Sequence, residues 1–128
     1  EPGYYLDEPF VEGPTQIDDL GMLFAVVKEL RPATLVEIGA FRGDGSKILL
    51  SACDGDAKLF SFDPYPQVQV QEIERVVPHG QYKLIQKGAE QLNSADLEGR
   101  QADFVFFDAS HVLENNQAIW RALMPVLS

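Results

Sequence analysis

Short apolar runs alternate strictly with segments of helical spacing along this chain, and this alternation limits its possible folds more than any other feature. Four runs have the length and composition of buried strands: Thr34–Ile38, Lys58–Phe62, Tyr82–Gln86 and Asp103–Phe107. The segments around them are predicted to be helical: 15–30, Asp44–Ala52, Gln67–Val77, Ala89–Leu97 and Val112–Leu123. Prolines and glycines in residues 1–14 predict an irregular lead-in to one domain over 15–128.

Strands that alternate with helices are typical of βαβ crossovers, and therefore of an α/β fold built on a parallel sheet. We expect the strand order 3-2-1-4, right-handed connections, and helices on both faces of the sheet. Ligands of such sheets bind beyond the carboxyl ends of the strands. Candidate functional residues should therefore follow the strands directly.

A glycine-rich segment follows the first strand. Gly39 permits a tight turn, while Gly43 and Gly45 allow a ligand to approach the start of the next helix. The free N–H groups of that helix suit an anion such as a carboxylate. Glu37 can meet an ammonium group, so the segment suits a ligand that carries both charges. The alternative is a strand-to-helix turn that needs glycine only for its geometry.

Polar residues also follow the second and third strands. Asp63 lies 18 residues after Gly45, near the spacing at which an acidic residue accepts ribose hydroxyls in nucleotide-binding βαβ units. The alternative for Asp63 is a turn or a helix cap before Pro64. After the third strand, Ala89 and Glu90 could flank an adenine and accept from its amino group. Taken alone, these residues are better explained as the start of a helix with a glutamate at its positive end.

Asp108 and His111 follow the fourth strand. An aspartate there could bind a divalent metal or a substrate amine, and a histidine could act as a base. A histidine in this position could also merely cap the following helix. Trp120 falls in that helix with an apolar spacing, which predicts packing in the core.

Composition restricts the partners. The formal net charge is -10 without clusters of lysine or arginine, which argues against nucleic acid and anionic membranes as partners. A small-molecule substrate or a protein partner fits better. Cys53 is the only cysteine, so no internal disulfide can form, which is consistent with a reducing, cytoplasmic location.

In this order and spacing, the segments resemble class I S-adenosylmethionine-dependent methyltransferases, in particular the catechol O-methyltransferase-like enzymes that act on small molecules. The resemblance rests on Glu37-x-Gly39-x-x-x-Gly43-x-Gly45, Phe62-Asp63, Gly88-Ala89-Glu90-Gln91, and Phe104–Asp108 with His111, and it covers roughly 15–125. It implies a Rossmann-like domain and methyl transfer to an oxygen or nitrogen acceptor faced by Asp108 and His111. The residues that it assigns to S-adenosylmethionine are Glu37, Gly39, Ala40, Gly43, Gly45, Ser46, Asp63, Pro64, Gly88, Ala89 and Glu90.

The sequence departs from that family in its length. Family members continue with three more strands, so the chain is expected to form about half of a seven-stranded methyltransferase fold. The resemblance implies a divalent metal, such as Mg²⁺, in a longer parent, with Asp108 as one ligand of an incomplete site. The outer edge of the fourth strand is expected to be covered, by more of the parent or by a second copy in a homodimer.

Two alternative functions must be compared with the residues. A nicotinamide-dependent dehydrogenase needs Gly-x-Gly-x-x-Gly, but Ile48 takes the third position after Gly43 and Gly45, and Phe41 takes the second after Gly39. The sequence therefore disfavours a dehydrogenase. A non-catalytic binding fragment or interaction module is the other alternative.

Overall fold

The computed structural model describes residues 17–78, 80–107 and 113–128. The four strands are β1 (Thr34–Ile38), β2 (Lys58–Phe62), β3 (Tyr82–Ile85) and β4 (Phe104–Phe107). The α-helices are α1 (Ile17–Leu30), α2 (Asp44–Ala52), α3 (Val70–Glu74) and α4 (Leu113–Leu123). Short 3-10 helices span Ala89–Gln91, Ser94–Leu97 and Met124–Val126.

The strands form one parallel sheet in the order β3-β2-β1-β4, which confirms the predicted order. Ile38 at the end of β1 pairs with Phe62 of β2 on one side and with Phe107 of β4 on the other. Phe62 pairs in turn with Ile85 of β3. The four strands end at the same level, so the residues that follow β1, β2 and β3 emerge at the same end of the sheet.

Both faces of the sheet are covered, as predicted. Alternate residues of a strand point to opposite faces, and they enter two different hydrophobic clusters. One cluster joins Leu35 and Leu59 to the helices α1, α2 and α3. The other joins Val36 and Phe60 to α4 and to the 3-10 helices after β3. The central strand β1 is buried along its whole length, which explains its nearly continuous apolar sequence.

Several elements differ from the prediction. The helix predicted over Gln67–Val77 is shortened to α3, and the N–H of Gln67 donates to the carbonyl of Phe41 in the loop before α2. The helix predicted over Ala89–Leu97 is two 3-10 turns separated at Leu92 and Asn93. The side chain of Asn93 accepts from the N–H of Asp96, while the Asp96 carboxylate accepts from the N–H of Asn93. This capping box starts a new turn and ends the previous one.

The packing predicted for Trp120 is wrong. Its side chain is 47% exposed and stacks on Phe107, with the ring centroids 5.6 Å apart. Trp120 follows the buried Ile119 by one position on α4, and adjacent helical positions face different directions. In the described part of the chain, no helix is long and apolar enough to cross a membrane.

The polypeptide just before β4 has a second neighbour besides β1. Ala102 forms an isolated parallel bridge with Leu127, in which the Ala102 N–H donates to Val126 and the Ser128 N–H donates to Ala102. On the other side, the Asp103 carboxylate accepts from the N–H groups of Ala33 and Thr34 at 3.0 and 2.9 Å. The start of β4 is therefore fixed from both sides.

Candidate functional site

The loop between β1 and α2 depends on glycines at two positions. Gly39 and Gly43 both have φ of 95°, in the region that side chains rarely adopt. A Cβ on Gly43 would also lie 2.7 Å from Cγ2 of Val68. Between them, Phe41 takes the left-handed conformation with φ of 49°, and its side chain is 50% exposed. The loop is thus held in a shape that most sequences could not adopt, at the edge where the strands end.

Asp63, directly after β2, is tied to this loop. One carboxylate oxygen accepts from the N–H of Phe41 at 2.9 Å, and the other accepts from the N–H of Tyr65 at 2.9 Å. The residue is only 7% exposed. A carboxylate has about four acceptor positions, so Asp63 keeps capacity for further donors. Its neighbour Pro64 is exposed.

Glu37 lies beneath the loop and is 1% exposed. Its Oε1 accepts from the Ser46 hydroxyl at 2.5 Å and from the Ser61 hydroxyl at 2.6 Å. The Tyr82 hydroxyl lies 3.4 Å from the Ser46 hydroxyl. Burial raises the pKa of the Tyr82 phenol, and the nearby carboxylates of Glu37 and Asp63 add to that rise. We call these four residues, Glu37, Ser46, Ser61 and Tyr82, the carboxylate–hydroxyl cluster.

The other small residues of the loop are placed around this cluster. Ala40 is buried, and Gly45 lies so close to Glu37 that a Cβ there would be 2.5 Å from Oε2. Gly45 is therefore needed for the packing of the loop on Glu37. The structure thus brings together the predicted residues Glu37, Gly39, Ala40, Gly43, Gly45, Ser46 and Asp63.

The turn after β3 brings the predicted residues Gly88, Ala89 and Glu90 to the same end of the sheet. Ala89 is buried, whereas Glu90 is exposed. The Glu90 carboxylate folds back toward Gly88, since a Cβ on Gly88 would lie 2.5 Å from both of its oxygens. The carboxylate oxygens of Glu90 therefore lie beside the backbone of Gly88, where they can accept hydrogen bonds.

Asp108 and His111 lie outside the described residues, so their predicted roles remain predictions. Among the residues that the structure describes, no group of three or more histidine, cysteine, aspartate or glutamate side chains could hold a metal ion. Asp108 stays a candidate metal ligand predicted from the sequence.

Sequence reasoning missed Ser61 and Tyr82. Ser61 is a polar residue between two phenylalanines in a buried strand, and this contrast was a usable signal. Tyr82 gave no such signal, because tyrosine is common in strands. The pairing of β1 with β2 places Ser61 beside Glu37, and Tyr82 of β3 reaches the same carboxylate through Ser46.

The glycine loop, an acidic residue after β2 and the strand order together match one family. A protein-family model described as a methyltransferase domain matches residues 36–128, well over half of the chain. The chain belongs to the methyltransferase domain family. The matched part begins within β1 and includes all of the described site residues.

Solved structures share the fold of this methyltransferase domain. An O-methyltransferase from Bacillus cereus in complex with SAH has 15% identity and a TM-score of 0.72, over 90% of this chain and 54% of its own. The O-methyltransferase TomG from Streptomyces achromogenes, in complex with SAM, has 20% identity and a TM-score of 0.66. The match covers 85% of this chain and 52% of TomG. An rRNA methylase from Streptococcus thermophilus has 14% identity and a TM-score of 0.63. The match covers 84% of this chain and 63% of the methylase.

At these identities the likeness establishes the fold alone, which is the Rossmann-like methyltransferase fold predicted from the sequence. The domain spans between about half and two thirds of the length of these solved chains. No curated protein matches the sequence significantly.

Proposed function

We propose that this domain binds S-adenosylmethionine, and that the protein to which it belongs transfers a methyl group to an oxygen or nitrogen of a small molecule. The observation that carries the proposal is the Asp63 carboxylate, which is nearly buried after β2 and joined to the glycine loop through the N–H of Phe41. This bond couples an acceptor for ribose hydroxyls to the loop beside it. Membership in the methyltransferase domain family supports the same assignment.

The donor and acceptor chemistry of the residues fits this cofactor. Asp63 retains acceptor positions for the two ribose hydroxyls, because each of its oxygens accepts from one backbone N–H. The first turn of α2, from Asp44, offers N–H groups without intrahelical acceptors to a carboxylate. Ala89 is small enough to lie against an adenine, and Glu90 offers an acceptor to an amino group.

The protein's contribution to such a reaction is mainly positioning. When bound, the cofactor would supply an electrophilic methyl group on a sulfonium, which an oxygen or nitrogen of the acceptor would take up in line while S-adenosylhomocysteine leaves. Fixing the cofactor against the sheet edge converts that encounter into an effectively intramolecular one. Asp108 and His111, which follow β4 in the sequence, are our candidates for orienting and deprotonating the acceptor.

A small-molecule acceptor is favoured over RNA, although an rRNA methylase is among the proteins that share the fold. The chain carries 20 acidic and 10 basic residues. Such a surface repels a phosphate backbone and lacks the cations whose binding releases counterions. We propose a cytoplasmic location, with which the single cysteine of this chain is consistent.

Isothermal titration calorimetry with S-adenosylmethionine and S-adenosylhomocysteine tests the proposal. We expect the wild-type chain to bind both, and Asp63→Ala to weaken binding by about 1–3 kcal/mol, because the ribose loses a charged acceptor. Asp56→Ala is the matched control, since Asp56 is an exposed aspartate in the turn before β2, at the opposite end of that strand. Absence of binding by the folded wild-type chain would refute the cofactor assignment.

A further inference from the structure

The carboxylate–hydroxyl cluster joins four elements through one buried group. Glu37 belongs to β1, Ser46 to the first turn of α2, Ser61 to β2 and Tyr82 to β3. Oε1 of Glu37 receives two hydroxyl bonds, at 2.5 Å from Ser46 and 2.6 Å from Ser61. Tyr82 extends the cluster through Ser46 at 3.4 Å. Two neighbouring strands and the helix start are therefore linked directly through the same oxygen, and a third strand is linked through Ser46.

The cluster lies under the glycine loop. Oε2 of Glu37 faces the backbone of Gly45, where even a Cβ would approach it to 2.5 Å. Ser46 and Ser61 are fully buried, and Tyr82 is 4% exposed. These hydroxyls are thus enclosed within the protein, where they contact the residues that shape the loop.

A buried carboxylate is costly unless it is hydrogen bonded, and a bond to an ionised group is stronger than one between neutral groups. The hydroxyls of Ser46 and Ser61 satisfy Glu37 and also restrict where its carboxylate can lie. Because Glu37 contacts Gly45 and Ser46, any movement of the carboxylate displaces the first turn of α2. That turn offers the free N–H groups assigned above to a carboxylate of the cofactor.

We propose that Ser61 and Tyr82 are positioning residues, which act through Glu37 and Ser46 to fix the start of α2 for the amino-acid end of S-adenosylmethionine. The inference rests on the proposed function and adds residues from β2 and β3 to it. Ser61 donates to Glu37 and Tyr82 contacts Ser46, so in this proposal neither residue needs to touch the cofactor. Their effect is to preorganise the turn, which lowers the cost of ordering it when the ligand binds.

The test compares two ligands by calorimetry. S-adenosylhomocysteine carries the amino-acid end, whereas 5′-methylthioadenosine keeps the adenosine and the thioether but lacks that end. We expect Ser61→Ala to weaken S-adenosylhomocysteine binding about tenfold and Tyr82→Phe about threefold, in proportion to the bonds lost. Both variants should bind 5′-methylthioadenosine within about twofold of the wild type. Ser61→Thr, which keeps the hydroxyl, should retain the wild-type preference between the ligands.

Two controls separate positioning from general destabilisation. Ser51→Ala removes an exposed hydroxyl of the same helix, which donates to the carbonyl of Ile48, and should change neither affinity. Ile119→Val weakens the core on the opposite face of the sheet and should leave the ratio of the two affinities unchanged. Tyr82→Phe keeps the aromatic ring in place, so its affinities for the two ligands still test the proposal if Ser61→Ala fails to fold.

The outcomes separate this inference from the proposed function. Equal losses for both ligands, or no loss in either variant, would overturn the positioning role while the wild type still binds. If the folded wild-type chain binds neither ligand, the proposed function fails and the positioning role fails with it.

Discussion

The glycines of this domain differ sharply in how a substitution by alanine should change the free energy of unfolding. Gly43 combines a φ of 95° with a Cβ position 2.7 Å from Val68, so Gly43→Ala adds backbone strain and a clash. We expect the free energy of unfolding to fall by about 1–3 kcal/mol from the strain alone. Gly21 lies inside α1 with open space around it, so Gly21→Ala should raise stability by about 0.5–1 kcal/mol. Urea unfolding measures both, and similar values for the two variants would contradict this difference.

Tyr82 predicts a dependence of stability on alkaline pH. Burial raises the pKa of its phenol above the usual 10.0, so the unfolded chain loses this proton at a lower pH than the folded one. The stabilisation that this raised pKa gives the folded state is present in full below the pKa of the unfolded chain. It is lost as pH rises toward the pKa of the folded chain, because the folded state then binds more protons than the unfolded one. We expect the free energy of unfolding to fall less for Tyr82→Phe than for the wild type between about pH 9 and pH 11.

Cys53 must be separated from this effect. Burial also raises the pKa of its thiol, which gives a loss of stability in the same direction as pH rises. The comparison is therefore best made in a Cys53→Ala background, with unfolding followed by circular dichroism. Identical pH profiles with and without the Tyr82 hydroxyl in that background would show that the folded and unfolded phenols titrate alike.

At the scale of the elements, the pairing of β4 with β1 begins at Asp103. Its carboxylate accepts from the N–H groups of Ala33 and Thr34, and its own N–H donates to the carbonyl of Thr34. Asp103→Ala leaves two backbone donors without these acceptors, and we expect it to lower the free energy of unfolding by about 1–2 kcal/mol.

Hydrogen exchange can locate that effect. Amide protection in β4 should fall more in Asp103→Ala than protection in β2 and β3, because local opening at the sheet edge becomes easier. Asp56→Ala, an exposed aspartate before β2, should change neither quantity. A uniform loss of protection across the sheet would show that Asp103 supports the whole domain rather than this one strand pair.

The strands and their order could be predicted from the sequence, whereas the connections between them were predicted less well. Apolar runs and βαβ handedness determine a parallel sheet with few alternatives. The segment from Ala89 to Leu97 has good helix formers, but the reciprocal capping of Asn93 and Asp96 divides it into two turns. Likewise, the sequence singles out Glu37 as a candidate site residue, whereas its enclosure by Ser61 and Tyr82 arises from contacts between strands that are distant in sequence.

At the scale of the whole molecule, the two faces of the sheet differ in what they support. The face covered by α1, α2 and α3 also carries the cluster beneath the glycine loop. The face covered by α4 and the 3-10 turns is packed by residues such as Phe60, Phe62 and Ile119, none of which has a polar side chain. Apart from Ala89, which we place against the adenine, substitutions on the second face should therefore alter stability with little direct effect on ligand preference.

The outer edge of β4 leads to the last prediction. Within the described residues, β4 pairs along its length with β1 alone, and its four side chains are only half-buried. The parallel bridge between Ala102 and Leu127 brings residues 126–128 alongside the start of β4, running in the same direction. Any polypeptide that continues from there would extend along β4, so we expect that edge to be covered by such a strand or by a second copy of the chain.

Sedimentation velocity of the 128-residue chain distinguishes these states over a range of concentrations. Pairing of two β4 edges about a two-fold axis should give a dimer that forms as concentration rises, with slowed amide exchange in Phe104–Phe107. Trp120, the only tryptophan, stacks on Phe107 and should report the change through its fluorescence. Lengthening the chain beyond Ser128 with a further strand should instead abolish the dimer, because the added strand occupies the same edge. A chain that stays monomeric at every concentration, with rapid exchange along β4, would show that this edge is stable when bare.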